Sequence, residues 1–287
     1  MKFENTEVYG FKNALRGMRN PKESWEKSDS YYIKITDSLK DRYPYERELH
    51  YDIGPNDMKL AQTLIKAGSE HRKFMRQIFV SVDITAPLYW WKEFSTYKVG
   101  TVANSTSTMH KIVSKPITLE NFEIDDCEWD LDCSDDYNSH DGIYIYNNVK
   151  DFKEYIIEHL EYLRKKYLKT KDKKYWKELI RWLPESWLQT RTVTMTYENL
   201  FAMCSCGQRR FHKLNEWSGI DDNTLENFIS WARTLPYAQE FIFIDETFTK
   251  DTTYKYEEII EAINSLGQTN TISIEDFKNA LEKIKKL

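Results

Sequence analysis

Three separated segments of the sequence combine cationic or imidazole side chains with hydrogen-bonding residues. They are residues 69–77, "SEHRKFMRQ", residues 96–111, "TYKVGTVANSTSTMHK", and residues 206–213, "CGQRRFHK". Charged guanidinium, ammonium and imidazole groups bind anions strongly, and amide and hydroxyl groups beside them orient a ligand through further hydrogen bonds. The three segments therefore predict a site for an anionic, planar ligand, provided that the fold brings them together.

The middle segment is rich in small hydroxyl side chains. Six of its sixteen residues are Ser or Thr, and its charged side chains are Lys98 and Lys111, with His110 beside the second. One interpretation is a solvated loop, in which the hydroxyl groups of residues 104–108 satisfy the backbone donors of a capped turn. The other interpretation is a loop that binds a phosphorylated ligand.

The cations of the other two segments also have two interpretations. Arg72, Lys73 and Arg76 either bind a ligand or are ordinary surface charges at the entrance of a strand. Arg209 and Arg210 either bind a ligand or form the last turn of a helix, where positive charge is favoured by the helix dipole.

Neither a common catalytic motif nor a strong metal-binding motif is present. The sequence lacks GxSxG, P-loop, GxGxxG and HExxH motifs, so we assign no catalytic residue. Residues 125–142, "DDCEWDLDCSDDYNSHDG", carry eight carboxylates, but their spacing does not fit an EF-hand. Cys127, Cys133 and His140 lack a second pair of ligands at a spacing typical of zinc sites. We therefore predict a solvated acidic loop and no metal site.

Composition limits the class of protein. The 287 residues are 40% hydrophobic and 15% aromatic, which is typical of a globular protein with a sizeable core. The formal net charge of −5 and the pI near 5.8 argue against a general nucleic-acid coat function. The sequence has only four cysteines, and it lacks both a signal-peptide pattern and an apolar run long enough to span a membrane. These features predict a cytoplasmic protein with reduced thiols.

Periodicity predicts the elements that surround the first two segments. A short element breaks at Pro21, and apolar residues at helical spacing predict a helix over residues 56–68. Strict alternation in "QIFVSVDI", residues 77–84, predicts a strand with one buried face. Aromatic side chains in residues 89–97 predict a helix that packs on the sheet and ends near Gly100, and they favour a core or subunit interface over a flavin-binding surface.

A second series of elements leads to the third segment. Two helices are predicted within residues 151–184, followed by a strand at residues 190–196, "TRTVTMT". A helix then begins at Tyr197 and leads into the basic cluster. Cys204 and Cys206 in this apolar helix are expected to be buried fillers and not nucleophiles.

The last elements suggest a small appendage. A helix is predicted to start at capping residues 221–223 and to stop at Pro236. Two helical patterns follow, split by a turn rich in Gly and Thr. We predict a main domain at residues 1–245 and a helical C-terminal appendage at residues 246–287.

The order of these elements resembles that of the flavin-dependent thymidylate synthases, a family that methylates dUMP with a reduced flavin and methylenetetrahydrofolate. Laid on this sequence without a gap, the first of two family histidines falls on His71 and the second falls on Gln77. In the series after the Arg-His-Arg motif of the family, Asn104 and Ser107 match in type. A Leu-Pro pair of the family falls on residues 183–184.

Other positions depart from the family pattern. Lys98 and His110 are chemically related replacements, whereas four arginines of the family fall on residues without charge, namely Tyr97, Val99, Met109 and Gly207. Charge-assisted hydrogen bonds contribute about 1.5–3 kcal/mol each, so these losses predict an altered ligand. Nearby cations that would supply a different set are Arg72, Arg76, Lys92, Lys98, Lys111, Arg209 and Arg210.

The resemblance implies an α+β fold in which a central, mostly antiparallel sheet is flanked by helices. It implies FAD as a candidate cofactor, a nucleotide or another anionic small molecule as ligand, a homotetramer and no membrane association. The residues expected to bind the cofactor are His71, Arg76, Gln77, Lys98 and Asn104. The residues expected to bind the substrate are Ser105, Ser107, His110, Gln208, Arg209 and Arg210.

Two classes of function are consistent with these residues. The first is a diverged relative of the family that binds a nucleotide or flavin, with an altered nucleotide-modifying activity. The second is a non-catalytic protein on the same scaffold, which sequesters a nucleotide or binds a protein partner. The missing arginines and the lack of a clear general base favour the second class, and the retained cations favour ligand binding in both.

Overall fold

The computed structural model describes residues 1–37, 49–124, 149–205, 209–220 and 226–244. Predictions on the acidic loop, on Cys206 and Gln208, and on the C-terminal appendage lie outside these residues. One compact unit spans Met1–Ile242 and a second spans Phe243–Leu287. The predicted domain boundary after residue 245 stays a prediction.

A four-stranded antiparallel sheet lies at the centre of the first unit. In chain order, the strands within the described residues are β1 (Lys2–Tyr9), β2 (Tyr31–Lys34), β3 (Leu49–Asp52), β4 (Phe79–Pro87), β5 (Val102–Ser105) and β6 (Leu188–Thr196). The main sheet has the order β1-β4-β6-β5, and β2 pairs with β3 in a separate two-stranded ladder. Every neighbouring pair in the main sheet is antiparallel, which confirms the predicted fold class.

Helices flank this sheet. In chain order they are α1 (Phe11–Arg19), α2 (Pro55–Lys66), α3 (Leu88–Phe94), α4 (Thr108–Lys111), α5 (Val149–Thr170), α6 (Lys173–Arg181), α7 (Tyr197–Cys204), α8 (Asn215–Ser218), α9 (Phe228–Arg233) and α10 (Ala238–Phe241). Short 3₁₀ helices lie at Asn20–Lys22, Trp25–Lys27, Arg72–Gln77 and Leu119–Asn121. None of the helices within the described ranges has the length and hydropathy that crossing a membrane requires.

The alternation in β4 determines which face of the sheet is covered. Val80, Val82 and Ile84 are buried, while the residues between them are partly exposed, as the sequence predicts. Val193 and Met195 of β6 extend the same buried face. Successive strand residues point to opposite faces, so apolar residues at every second position place the core on one side.

Aromatic residues of α3 fill the core beside this face. Trp90, Trp91 and Phe94 are buried, and Trp90 stacks on Trp217 with the ring centroids 4.5 Å apart. The indole Nε1 of Trp91 donates to the carbonyl oxygen of Gln189 at 2.9 Å, which fixes α3 to β6. This aromatic set therefore belongs to the core, in agreement with the sequence-based interpretation.

The predicted C-terminal end of α3 was wrong. The helix stops at Phe94, well before Gly100. The hydroxyl of Ser95 donates to the carbonyl of Trp91 at 2.7 Å, and the hydroxyl of Thr96 donates to the carbonyl of Glu93 at 2.8 Å. Such side-chain bonds to the backbone compete with the helical pattern and end the helix.

Two strands and one helix start were also missed. Residues 102–105 form the edge strand β5, although the sequence suggested a loop, and β1 was not predicted at all. Helix α9 begins at Phe228 and is capped by Asn227, whose side chain accepts from the backbone N–H of Ser230, while the predicted capping residues 221–223 lie outside the described residues. Neither strand shows the apolar alternation of β4, because their side chains are largely exposed.

Candidate ligand-binding cleft

A cleft of about 1730 Å³ lies between α1, α2 and the 3₁₀ helix Arg72–Gln77, and we call it the α1–α2 cleft. His71, Arg76 and Gln77 line it, so three of the five residues predicted to bind the cofactor share one cavity. All three side chains are exposed to solvent. The first of the three predicted segments therefore contributes to a real concave surface.

Positive charge dominates the rim of the α1–α2 cleft. Lys22, Lys27, Lys73 and Arg76 line it together with His71, whereas the carboxylates in the lining are Glu26 and Glu70. Within the described part of the chain, neither Lys73 nor Arg76 forms an ion pair or a side-chain hydrogen bond. Their charges are therefore available to an anionic ligand.

A buried ion pair supports one wall of the cleft. Nε of Arg19, a lining residue, donates to Oδ1 of Asp57 at 2.6 Å, and the hydroxyls of Ser28 and Ser30 donate to Oδ2, each at 2.6 Å. Burial by itself raises the pKa of Asp57, but these hydrogen bonds outweigh burial and hold the pKa below its usual value. The network ties the segment after α1 to the start of α2.

Two glycines allow α1 to approach Gln77 closely. Gly10 has a φ of 105°, and a Cβ there would lie 2.1 Å from the backbone oxygen of Gln77. A Cβ on Gly17 would lie 2.8 Å from the side-chain oxygen of Gln77. A larger residue at either position would displace Gln77 and reshape the cleft.

The 3₁₀ helix is anchored by an arginine that does not serve the cleft. Nε of Arg72 lies 3.1 Å from both carboxylate oxygens of Glu198, and its guanidinium lies 4.4 Å from the ring centroid of Phe201. Phe74 and Met75 are buried between the flanking elements. The segment is thus fixed to α7, and Lys73 and Arg76 remain on its open side.

The second predicted segment does not line the α1–α2 cleft. Ser107 caps α4, and its hydroxyl bonds to Nδ1 of His110 at 2.7 Å. Asn104 and Ser105 lie on the edge strand β5, where they pair with Thr192 and Arg191 of β6, respectively. Of the predicted binding residues in this segment, Lys98, Asn104, Ser105 and His110 are exposed and Ser107 is partly exposed.

The third segment meets the second one in a cluster around Arg209. Its Nε donates to the hydroxyl of Tyr97 at 2.9 Å, its Nη2 lies 3.1 Å from Glu93, and its guanidinium lies 4.7 Å from the ring of Trp217. Burial and the charge of Arg209 lower the pKa of His212. Arg209 is 9% exposed, so most of its donors serve this cluster.

Arg210 lies beside this cluster, with its guanidinium 5.8 Å from the ring of Phe211. The thiol of Cys204 is buried, as predicted. Among the described residues, no three His, Cys, Asp or Glu side chains converge where they could hold a metal ion. Within one chain, the first segment lines the α1–α2 cleft, whereas Tyr97 of the second segment contacts Arg209 of the third.

Arg191 is a candidate ligand-binding residue that the sequence analysis missed. It is partly buried, its guanidinium lies 4.3 Å from the ring of Trp91, and its Nε donates to the side-chain oxygen of Gln189 at 3.0 Å. Burial lowers its pKa, and no carboxylate in the described ranges pairs with it. The sequence did contain a signal for Arg191. Alternation places residue 191 on the same face of β6 as Val193 and Met195, where an apolar residue is expected.

The structure is similar to solved structures of flavin-dependent thymidylate synthases. ThyX from Helicobacter pylori complexed with FAD and dUMP is 13% identical, with a TM-score of 0.53 over 85% of this chain and 99% of that chain. A second structure of the same enzyme with FAD and dUMP is 14% identical, with a TM-score of 0.52 over 85% of this chain and 98% of that chain.

A UMP/dUMP methylase, PolB from Streptomyces cacaoi bound with 5-Br dUMP, is also similar, at 14% identity and a TM-score of 0.43 over 76% of this chain and 96% of that chain. No protein-family model matches the sequence, and no curated protein matches it. Likeness at such low identity concerns the path of the backbone and not the chemistry. The chain therefore has the fold of the flavin-dependent thymidylate synthases.

Proposed function

We propose that the α1–α2 cleft binds a phosphorylated pyrimidine nucleotide or a flavin, as in a diverged relative of the flavin-dependent thymidylate synthases. The observation that supports this proposal most directly is the presence of His71, Arg76 and Gln77 in one cationic cleft. Arginine and lysine that lack a carboxylate partner are suited to a phosphate group, because the ligand then supplies the missing negative charge.

The size and lining of the cleft are compatible with FAD. Pockets for drug-sized ligands have volumes of roughly 300–1,000 Å³, and this cleft exceeds that range. Lysine and arginine side chains on the rim suit a pyrophosphate, and Leu60, Leu64 and Phe74 supply apolar lining for a ring system. A bound flavin would supply hydride-transfer chemistry. The Helicobacter pylori structures, which contain FAD and dUMP, support the choice of these ligands for testing.

The predicted residues outside the cleft enter this proposal through a second copy of the chain. The resemblance implies a homotetramer whose sites combine several subunits, and the exposed side chains of β5 and α4 do not line the α1–α2 cleft of their own chain. We propose that they complete the site of a neighbouring copy. These residues are the exposed Lys98, Asn104, Ser105 and His110 and the partly exposed Ser107 and Arg210, whereas Arg209 is buried in its own cluster and Gln208 lies outside the described residues.

The residues that stand where the family has arginines favour sequestration of a nucleotide over thymidylate synthesis. Val99 is 89% exposed and Met109 is also exposed, so neither contributes a buried core contact that would explain an apolar side chain there. Tyr97 instead accepts a hydrogen bond from Arg209. These positions lack guanidinium groups. The second candidate function is therefore a protein that binds a nucleotide and does not methylate it.

Replacement of Arg76 by Glu is expected to weaken ligand binding by about tenfold or more. A charge-assisted hydrogen bond contributes about 1.5–3 kcal/mol, and 1.4 kcal/mol corresponds to a factor of ten in affinity. The measurement is isothermal titration calorimetry of the purified chain with FAD, FMN, dUMP and UMP. The matched control is Lys59→Glu, which makes the same charge change on the exposed surface of α2 outside the cleft.

The outcomes separate the candidate functions. The cleft is supported as the site if the unmodified chain binds a nucleotide or flavin tightly and if the affinity is lower in Arg76→Glu but unchanged in Lys59→Glu. Absence of binding for all four ligands would refute the proposal. Incubation with FAD, a reductant, dUMP and methylenetetrahydrofolate then distinguishes catalysis, which produces dTMP, from sequestration, which leaves dUMP unchanged.

A further inference from the structure

A strongly basic helical hairpin lies in the second half of the described chain. Helices α5 and α6 are joined by Lys171 and Asp172, and we call residues 162–182 the basic hairpin. Between Arg164 and Arg181 the sequence has nine cationic and two acidic residues, in a chain whose formal net charge is −5. Such local segregation of charge creates a positive field that the average composition hides.

Four of these cations are paired with carboxylates, namely those of Glu161, Asp172 and Glu178. Arg164 is buried and bonds to both carboxylate oxygens of Glu161, at 2.7 and 2.8 Å. Lys165 lies 3.7 Å from Glu161, Lys174 lies 3.1 Å from Asp172, and Arg181 lies 3.0 Å from Glu178. Arg164 also donates to the carbonyl of Val113 at 3.1 Å, so it has a structural role.

Five other lysines of the basic hairpin differ from these four cations. Throughout the described ranges, no carboxylate lies within ion-pair distance of these five, which are Lys166, Lys169, Lys171, Lys173 and Lys177. Four of them are exposed, and Lys166 is partly exposed. They flank the turn between the two helices from both sides, so their charges repel one another unless an anion lies among them.

Exposed aromatic rings lie on the same element. Tyr162 is 52% exposed and Trp182 is 64% exposed. The ammonium group of Lys166 lies 5.3 Å from the ring centroid of Tyr162, and Nε1 of Trp182 donates to Glu178 at 2.8 Å, which restrains the indole. Lysines beside restrained, exposed rings are the combination that binds single-stranded nucleic acid, through phosphates and stacked bases respectively.

The apolar side of the hairpin is already occupied. Leu160, Leu163 and Leu179 pack with Ile112 and Phe122 in a separate core cluster. A helix that inserts into a lipid surface needs a free apolar face, so this packing argues against a membrane as the partner. An acidic protein segment would satisfy the lysines but would leave the exposed rings without a role.

We propose that the basic hairpin binds single-stranded nucleic acid, with the uncompensated lysines on the phosphates and Tyr162 and Trp182 stacked on bases. This site is distinct from the α1–α2 cleft and does not depend on the function proposed there. It is also compatible with the negative net charge of the chain, which argues against a general nucleic-acid coat function, because the positive charge of the site is confined to one hairpin.

The test is fluorescence anisotropy of a labelled oligothymidylate titrated with the full chain at several salt concentrations. The triple variant Lys169→Glu, Lys173→Glu, Lys177→Glu should bind at least tenfold more weakly. Its salt slope should be smaller by about two, because each phosphate contact to a single strand contributes about 0.7. The variant Trp182→Ala should bind about tenfold more weakly, the range expected for one lost stacking contact.

The matched control is the triple variant Lys12→Glu, Lys34→Glu, Lys59→Glu, which makes the same change in net charge at exposed lysines outside the hairpin. Circular dichroism checks that each variant is folded. Retained affinity in the control, together with the losses above, supports the proposal. Equal loss in both triple variants, equal competition by polyglutamate, tighter binding of duplex than of single strand, or binding only to phosphatidylserine vesicles would each overturn it.

Discussion

Replacement of Asp57 by Ala is expected to lower the free energy of unfolding by about 3–5 kcal/mol, the range measured when one member of a buried ion pair is removed. The Asp57 side chain is fully buried, and it accepts hydrogen bonds from Arg19, Ser28 and Ser30. Its loss would leave the buried guanidinium of Arg19 without a counter-charge. The same loss would loosen the wall of the α1–α2 cleft, because Arg19 lines that cleft.

Urea denaturation followed by circular dichroism measures this effect. The control is Glu185→Ala, which breaks the ion pair between Glu185 and Lys92 at 2.7 Å. Both of those side chains are more than half exposed, so the expected change is below about 1 kcal/mol. A loss for Asp57→Ala no larger than that of the control would contradict the stabilising role of the buried network.

The pH dependence of stability gives an independent check on Asp57. Its folded-state pKa is lowered, so its contribution is fully present at neutral pH, above the pKa of the unfolded chain. The contribution should fall as the pH drops below about 4, through the pKa of the folded state. When the pH is lowered from about 5 to below about 4, the free energy of unfolding should therefore fall less in the Asp57→Ala variant than in the unmodified chain.

Replacement of Trp217 by Ala is expected to cost about 3–5 kcal/mol, the range for deletion of a large aromatic side chain from a core. Trp217 is 0% exposed, stacks on Trp90 at 4.5 Å and contacts Phe228 at 5.0 Å between ring centroids. The guanidinium of Arg209 lies 4.7 Å from its ring and would lose this partner. The cavity would therefore disturb both the core of α3 and the cluster of the third segment.

A graded series of variants tests this role of Trp217. Its Nε1 has no acceptor within the described residues, so Trp217→Phe, which keeps a ring and removes that N–H, should cost much less than Trp217→Ala. Trp182→Ala makes the same deletion at an exposed indole and should cost below about 1 kcal/mol. Urea denaturation curves give all three values. Equal losses at positions 182 and 217 would show that burial of Trp217 contributes little.

The fold class was predictable from a few strongly patterned segments. Alternating apolar residues in β4 and the helical spacing in α2 gave the correct element types, because burial of one face imposes a period of two or of about 3.6 residues. The edge strand β5 carries no such pattern, because all four of its side chains are exposed. It forms because its backbone pairs with β6, a partner more than eighty residues away in the sequence.

The candidate site was also predictable only in part from the sequence. The sequence by itself determined that residues 69–77 are cationic and follow a helix, and it pointed to His71, Arg76 and Gln77. It did not determine that α1 and α2 would enclose them, because the Arg19–Asp57 network that joins these helices spans 38 residues.

Arg72 and Arg76 illustrate what only the tertiary structure decided. Both are arginines of one short segment, four residues apart, and nothing local distinguishes them. In the folded chain Arg72 is paired with Glu198, 126 residues away, whereas Arg76 lines the cleft. The sequence thus determined which charges are present, and the tertiary structure decided which of them are neutralised, because ion pairing depends on contacts between segments that are distant in the chain.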